Sequence, residues 1–211
     1  MLRKLIIIGA GGQGRVVLGI LRARDCPVDG FFDTNPKLTG TQIDGVPVDR
    51  AFDSKALANG IKAIIAIGDN QTRLQYVKSL SESGYDFEFV NAIHPRSFMA
   101  DHIRLGKNVV IAAGALICDR VTVSDSVILN TGCIVEHGCN IEEGVHICPG
   151  AVLAGHVTVG NGAFVGLGAR IIQGVTIGEN AIIGAGSVVI NDVEAGKTVV
   201  GVPAQEVYLR S

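Results

Sequence analysis

The chain has 211 residues, of which 47% are hydrophobic, 28 are glycine and only 5% are aromatic, a length and composition suited to two small, turn-rich domains. A net charge of -2 with no basic run argues against nucleic-acid binding, which needs clustered Lys and Arg to neutralise phosphates. The one apolar run near the start, residues 5–8, is too short for a signal sequence or a membrane span, so a cytoplasmic protein with no membrane partner is expected.

Residues 4–8 read as a buried strand that runs into Gly9-Ala10-Gly11-Gly12-Gln13-Gly14 and then a helical stretch at 15–24. Strand, glycine turn and helix are the context in which GxGxxG binds a phosphate: the glycines let backbone come close, and the helix N-terminus favours negative charge. A lone glycine motif also serves plain packing, so Gly9, Gly11, Gly12 and Gly14 are candidate nucleotide contacts with a structural alternative. The next strand, 28–32, ends at Asp33, where dinucleotide folds place a ribose-binding acid. A loop and short strand at 40–47 and a helix at 51–59 follow. Residues 62–67 form another buried strand, which leads into Gly68-Asp69-Asn70 and a helix containing Arg73, with a last strand near 87–90. Ligands of such sheets sit beyond the strand C-termini, which gathers Gly9–Gly14, Asp33, Gly68, Asp69, Asn70 and Arg73 around one crevice. Asp69 or Asn70 also suits a helix cap, and Arg73 suits either a phosphate contact or a solvated face.

His94-Pro95 marks the joint, because proline holds the residue before it extended. The expected domains are therefore 1–93, an abbreviated Rossmann-like βαβ unit, and 94–211. His94 and His102 have no acid at a helpful spacing and read as structural or solvent-facing.

From Leu105 the chain repeats every six residues. The first position of each block, from Leu105, Ile111 and Ile117 through to Ile177 and Ile183, is aliphatic in all fourteen blocks. The fifth is small and the fourth is most often Gly or Asn. A period of six is a short strand and a turn repeated, the mark of a solenoid. Three such sides make an eighteen-residue triangular coil, so residues eighteen apart stack roughly 4.8 Å from one another. Cys133 and Cys139 fall at inward positions and read as small buried hydrophobes rather than disulfide or zinc partners, and no CxxC pair exists among the five cysteines. The repeat ends near Asn191, ahead of Gly201-Val202-Pro203-Ala204 and a short tail.

His137 is third in its block and should point outward, with Gly155 stacked above it and Asp119 below. A histidine is a natural base near neutral pH, and a glycine there leaves room for a ligand and exposes an N–H able to hold an oxyanion. His146 lies around a corner from His137 within one coil. His156 stacks above Gly138.

Asn130-Thr131, Glu136-His137, His146-Ile147-Cys148-Pro149-Gly150-Ala151 and Gly201-Val202-Pro203-Ala204, together with the glycine-turn domain and the Ile-His-Pro joint, resemble the NeuD/PglD family of sugar acyltransferases over nearly the whole chain. The resemblance implies a left-handed parallel β-helix in the second domain and a homotrimer with active sites between subunits. It also implies His137 as base, Glu136 and Asn130 beside it, the Gly155 amide as oxyanion donor and His146 on the acetyl-CoA side. Acetyl-CoA would run past Gly155, Leu167 and Ala185, with Val202 and Pro203 near its far end, and no metal is required. The implied acceptor is a nucleotide-linked amino sugar, a UDP-4-amino-4,6-dideoxy sugar, N-acetylated in bacterial glycan biosynthesis. One departure stands out: relatives carry Asp or Glu after the catalytic histidine, where this chain has Gly138. Glu136 or Asp119 are candidate substitutes.

Three alternatives remain at this stage. The same base serves O-acetylation of sialic acid or another sugar hydroxyl. The missing acid admits a non-catalytic nucleotide-sugar-binding scaffold. A nicotinamide oxidoreductase built on the glycine turn would leave the coils without a task.

Overall fold

A computed structural model describes residues 4–50, 60–84 and 86–207. The helix expected at 51–59 lies outside them. The chain divides into two compact units, Met1–Pro95 and Arg96–Ser211.

In the first unit, β1 (Lys4–Ile8) is central. β2 (Gly30–Phe32) and β5 (Ile61–Ile65) pair with it in parallel on either side, and the sheet order is β3-β4-β2-β1-β5-β6. Here β3 is Gln42–Ile43, β4 Val46–Asp49 and β6 Phe87–Phe89. Only the β3–β4 hairpin is antiparallel. Helix α1 (Gly12–Arg22) buries Val17, Leu18, Ile20 and Leu21, a spacing that lines one helical face. Helix α2 (Asn70–Ser81) contributes Leu80, with Tyr76 and Val77, to a cluster with Ile8, Ile61, Ala63 and Ile65. Because chain order reverses between β1 and β5, the turns after them splay apart and open a crevice at the strand C-termini.

Two glycines of the turn are needed by the fold itself. Gly9 has φ +102°, and a side chain at Gly14 would run into the Gly9 carbonyl, so α1 crosses β1 only with glycine there. Gly11 and Gly12 have open space where a Cβ would stand. Half of the motif is therefore packing and half is room for a ligand.

The second unit is a left-handed parallel β-helix of two-residue strands. Strands eighteen residues apart pair in register on all three sides: Leu129 with Ile147, Val135 with Leu153, and Ile141 with Val159. First-position aliphatics from Ile111 to Ile183 are buried, as are the small fifth-position residues, Cys133 and Cys139 among them. The outward positions differ from side to side. One side carries Phe98, Leu116, Ile134 and Val152 along its strands, and a second carries Ile128, His146, Phe164 and Ile182. The third carries Thr122, Asn140, Thr158 and Thr176. Past the repeat, Thr198–Val200 still adds to the coil in parallel, and Gln205–Glu206 then turns back antiparallel. Among the described residues, no helix is long and apolar enough to cross a membrane.

Candidate active site

Two sites emerge, one in each unit. In the first unit a cavity of about 310 Å³ is lined by the turn after β1 (Gly9, Gly11, Gly12, Gln13), the end of β2 (Asp33, Thr34) and Gly68, Thr72 and Tyr76. Asp33 builds the turn: Oδ2 accepts from the Ala10 N–H at 2.8 Å and Oδ1 from the Asn35 N–H at 2.8 Å. Helix α1 starts at Gly11 without a side-chain cap, so its first N–H groups face the cavity with their positive end of the dipole. Gln13 Nε2 is the buried side-chain polar atom left without a hydrogen bond among the described residues. Buried amide donors are normally satisfied, and a polar ligand at the turn would supply the partner.

Three of the residues expected around this crevice do other work. Asp69 caps α2, its Oδ1 accepting from the Thr72 N–H at 2.8 Å, and the Thr72 hydrogen bonds hold its carboxyl below the ordinary value. Arg73 corrects the expectation of a phosphate contact. Its side chain is fully buried and donates to the Ile67 carbonyl at 2.9 Å, the Gly68 carbonyl at 3.2 Å and Asn70 Oδ1 at 2.9 Å. Burial lowers the guanidinium pKa to about 10, with Asp69 pulling it back up. Arg73 and Asn70 thus hold the loop after β5 in shape. Thr34, Thr72 and Tyr76 were not singled out by sequence; only their places after a strand and on the inner turn of a helix mark them.

In the second unit, His137 is exposed at a corner of the coil, and the buried Gly155 lies one coil above. A Cβ on Gly155 would stand 2.6 Å from His137 Cε1 and 2.8 Å from Nε2, so only glycine leaves the imidazole its place. The Gly155 carbonyl accepts from Gly174 at 3.0 Å. Among the described residues its N–H makes no hydrogen bond and is left for a ligand.

Neither acid named as a substitute reaches the His137 ring. Asp119 pairs with His102 Nδ1 at 3.2 Å and Arg120 Nε at 3.4 Å. The His102 contact corrects the expectation that no acid stands near that histidine: a spacing of seventeen is one coil less one residue. Glu136 stands over Cys118. Burial, followed by the hydrogen bond and negative charge of Glu136, pushes the Cys118 thiol up. What does reach His137 is His156, whose ring centroid lies 4.9 Å away at an interplanar angle of 81°.

Asn130 and His146 form a second pair. Asn130 Nδ2 lies 3.1 Å from His146 Nε2, and the buried His146 ring meets Phe164 edge-on at 5.3 Å. Leu167 and Ala185 stack on the corner that follows this side, one coil apart and both exposed; the Gly186 N–H bonds the Leu167 carbonyl at 2.7 Å. Val202 is exposed in the hairpin loop, where the Ala204 N–H returns to the Val188 carbonyl at 2.8 Å. His137 and Gly155 occupy a different corner from Leu167 and Ala185, with one whole side of the prism between them. A single coil does not bring the expected base and the expected acetyl-CoA contacts together.

The three buried thiols offer no nucleophile. Burial first of all raises Cys133 to about 12 and Cys139 and Cys148 to about 11, far from the activated range. Among the described residues no group of three or more His, Cys, Asp or Glu side chains is placed to hold a metal ion.

Residues 4–80 match the PglD N-terminal domain family, and residues 156–191 match the bacterial transferase hexapeptide (six repeats) family. Among solved structures, the chain is similar to a His-to-Asn variant of perosamine N-acetyltransferase from Caulobacter crescentus in complex with CoA and GDP-perosamine. Identity is 38% and the TM-score 0.89, over 99% of this chain and 98% of that one. It is also similar to the acetyltransferase domain of PglB from Neisseria gonorrhoeae in complex with acetyl coenzyme A, at 32% identity and TM-score 0.88 over 98% and 100% of the two chains. WeeI from Acinetobacter baumannii is 26% identical with TM-score 0.86 over 97% and 99%. No curated protein sequence matches.

Proposed function

The chain belongs to the PglD/NeuD-type sugar acetyltransferases, and from that premise we propose that it transfers the acetyl group of acetyl-CoA to the 4-amino group of a nucleotide-linked amino sugar. The observation that carries this reading is the placement of the His137 imidazole over Gly155, a base beside an unused backbone N–H. The amine attacks the thioester carbonyl while His137 takes its proton, and the Gly155 N–H receives the charge that develops on the carbonyl oxygen. Collapse of that tetrahedral species breaks the C–S bond, and the imidazolium returns the proton to the departing CoA thiolate. No metal takes part in this scheme.

The cavity at the glycine turn is the site for the nucleotide diphosphate, with the α1 N-terminus and Gln13 as donors and Asp33 ordering the turn. The family resemblance implies a UDP-linked 4-amino-4,6-dideoxy sugar; the similarity to a structure holding GDP-perosamine makes a GDP-linked sugar the competing acceptor. Both belong to cytoplasmic glycan biosynthesis, where acetyl-CoA is also found.

A homotrimer completes the site. Two sides of the prism present outward apolar side chains, Leu116, Ile134 and Val152 on one and Phe164 and Ile182 on the other, while the third presents Thr and Asn. Two sticky sides and one polar side suit a ring in which each coil touches two neighbours and turns its polar side to water. In such a ring neighbouring coils share each cleft, so the base and the acetyl-CoA groove come from two subunits rather than one.

The decisive experiment follows free CoA release from acetyl-CoA with GDP-perosamine and a panel of UDP-amino sugars, for wild type and His137→Ala. Loss of about 10²–10⁴-fold in kcat at unchanged KM supports the base. Wild-type turnover by His137→Ala overturns it.

A further inference from the structure

An imidazole base is usually oriented by a third group, most often a carboxylate that fixes its ring. Among the described residues His137 has none: Asp119 is held by His102 and Arg120, and Glu136 faces Cys118. Yet its ring is enclosed. His137 and His156 pack reciprocally, each imidazole lying over the glycine that adjoins the other. His137 covers Gly155, and His156 covers Gly138, where a Cβ would stand 2.5 Å from His156 Nδ1 and 2.7 Å from Cε1. The His156 N–H donates to the His137 carbonyl at 2.9 Å, which ties the two corners together.

His156 has φ +59°, a left-handed corner held by Gly138 and Gly174 one coil below and above and by Arg120 and His102 further down the same column. Glycine is the residue such a corner favours, but this column accepts other side chains, so what sets His156 apart is its ring contact with His137.

We propose that His156 is the positioning residue of the catalytic base: its ring walls the His137 imidazole into the one orientation that faces Gly155, and does so in place of a carboxylate. The inference rests on the assignment of His137 as base. When His137 becomes an imidazolium during attack, the perpendicular His156 ring is the aromatic neighbour beside it. The nearby charged groups, Asp119 with His102 and Arg120 and then Glu136, stay engaged with one another and with Cys118.

The test uses the full-length protein and two substitutions, His156→Gly and His156→Phe. Its first measurement needs no acceptor: the nuclear Overhauser contact between His137 Hε1 and the Gly155 Hα protons. Wild type and His156→Phe keep this contact, because both supply a ring wall, and His156→Gly loses it as the imidazole swings free. An unchanged contact in His156→Gly overturns the proposal. In kinetics with acetyl-CoA and GDP-perosamine, His156→Gly lowers kcat about 10- to 100-fold, the effect of a misplaced group, with the KM for acetyl-CoA unchanged and thermal stability equal or higher. His156→Phe recovers most of the loss. Gly138→Asp alone is impaired, because its side chain meets His156, whereas Gly138→Asp with His156→Gly returns to within about threefold of wild type. That non-additivity marks residues in contact. Full turnover by His156→Gly beside an inactive His137→Ala sinks the positioning role and leaves the base in place; turnover by His137→Ala removes the base itself.

Discussion

Asn130 presents its amide nitrogen to His146 Nε2 at 3.1 Å while its own Oδ1 accepts from the Thr131 N–H at 2.8 Å. The backbone donor fixes which end of the amide is oxygen, so the NH₂ must face the imidazole and Nε2 must accept. His146 therefore carries its proton on Nδ1. Asn130→Ala takes this contact away from His146. Its expected effect is a KM for acetyl-CoA raised about tenfold, the acceptor KM unchanged, and a stability loss of about 1 kcal/mol by denaturant titration. A larger change in the acceptor KM would move the pair to the sugar side.

Arg73 is expected to act on stability rather than on acceptor contacts. Removing its guanidinium takes a donor from the Ile67 and Gly68 carbonyls and from Asn70 Oδ1 inside the loop after β5. Arg73→Ala should cost about 3 kcal/mol of folding stability, and Arg73→Lys should rescue little, since one ammonium does not span three acceptors in a planar fork. Urea melts of the two variants decide it: a mild loss with a raised acceptor KM would return Arg73 to the substrate.

Asp69 gives a pH-dependent prediction. Its carboxyl is held below the ordinary 3.8 by the Thr72 hydrogen bonds first, with the Arg73 charge adding to them. A folded-state pKa below the unfolded one means stability that is fully present above about pH 4 and is lost as pH falls through the folded value. Asp69→Ala should therefore cost about 1 kcal/mol at pH 7, as for other helix caps, and less as pH falls through the folded-state value. A gap that stays constant across that range would show that the cap, not the charge, is all that matters.

The coil was legible because its period is strict: fourteen aliphatics six apart fix a three-sided coil, its hand following from the family resemblance, and the eighteen-residue stack then places His137 under Gly155 without a structure. The same rule, applied by column alone, missed His102 and Asp119. Their side chains meet one position out of column, since a corner residue leans across to its neighbour in the next coil. In the first unit the glycine turn, Asp33 and Gly68 could be placed from strand ends. Arg73 could not. An arginine on a helix reads as solvated until the carbonyls it satisfies are seen, and those belong to a loop whose shape the sequence does not spell. Gln13 was hidden for a related reason, because its signal is an unsatisfied buried amide, a property of packing.

The last prediction concerns Gly155. No left-handed φ is required of it, so alanine fits its backbone, but the added methyl meets His137 Cε1 and Nε2 at 2.6 and 2.8 Å. The obstacle is the movable end of a side chain, and the ring can turn outward to relieve it. Gly155→Ala should then fold with a melting temperature within a few degrees of wild type and bind acetyl-CoA. Its kcat should fall about 10²–10³-fold, because the base leaves its station. Gly155→Ala combined with His137→Ala should be no slower than His137→Ala alone, since both changes remove the same geometry. If the double variant loses a further factor of ten or more, the amide of residue 155 works independently of His137, and the two belong to separate steps of the reaction.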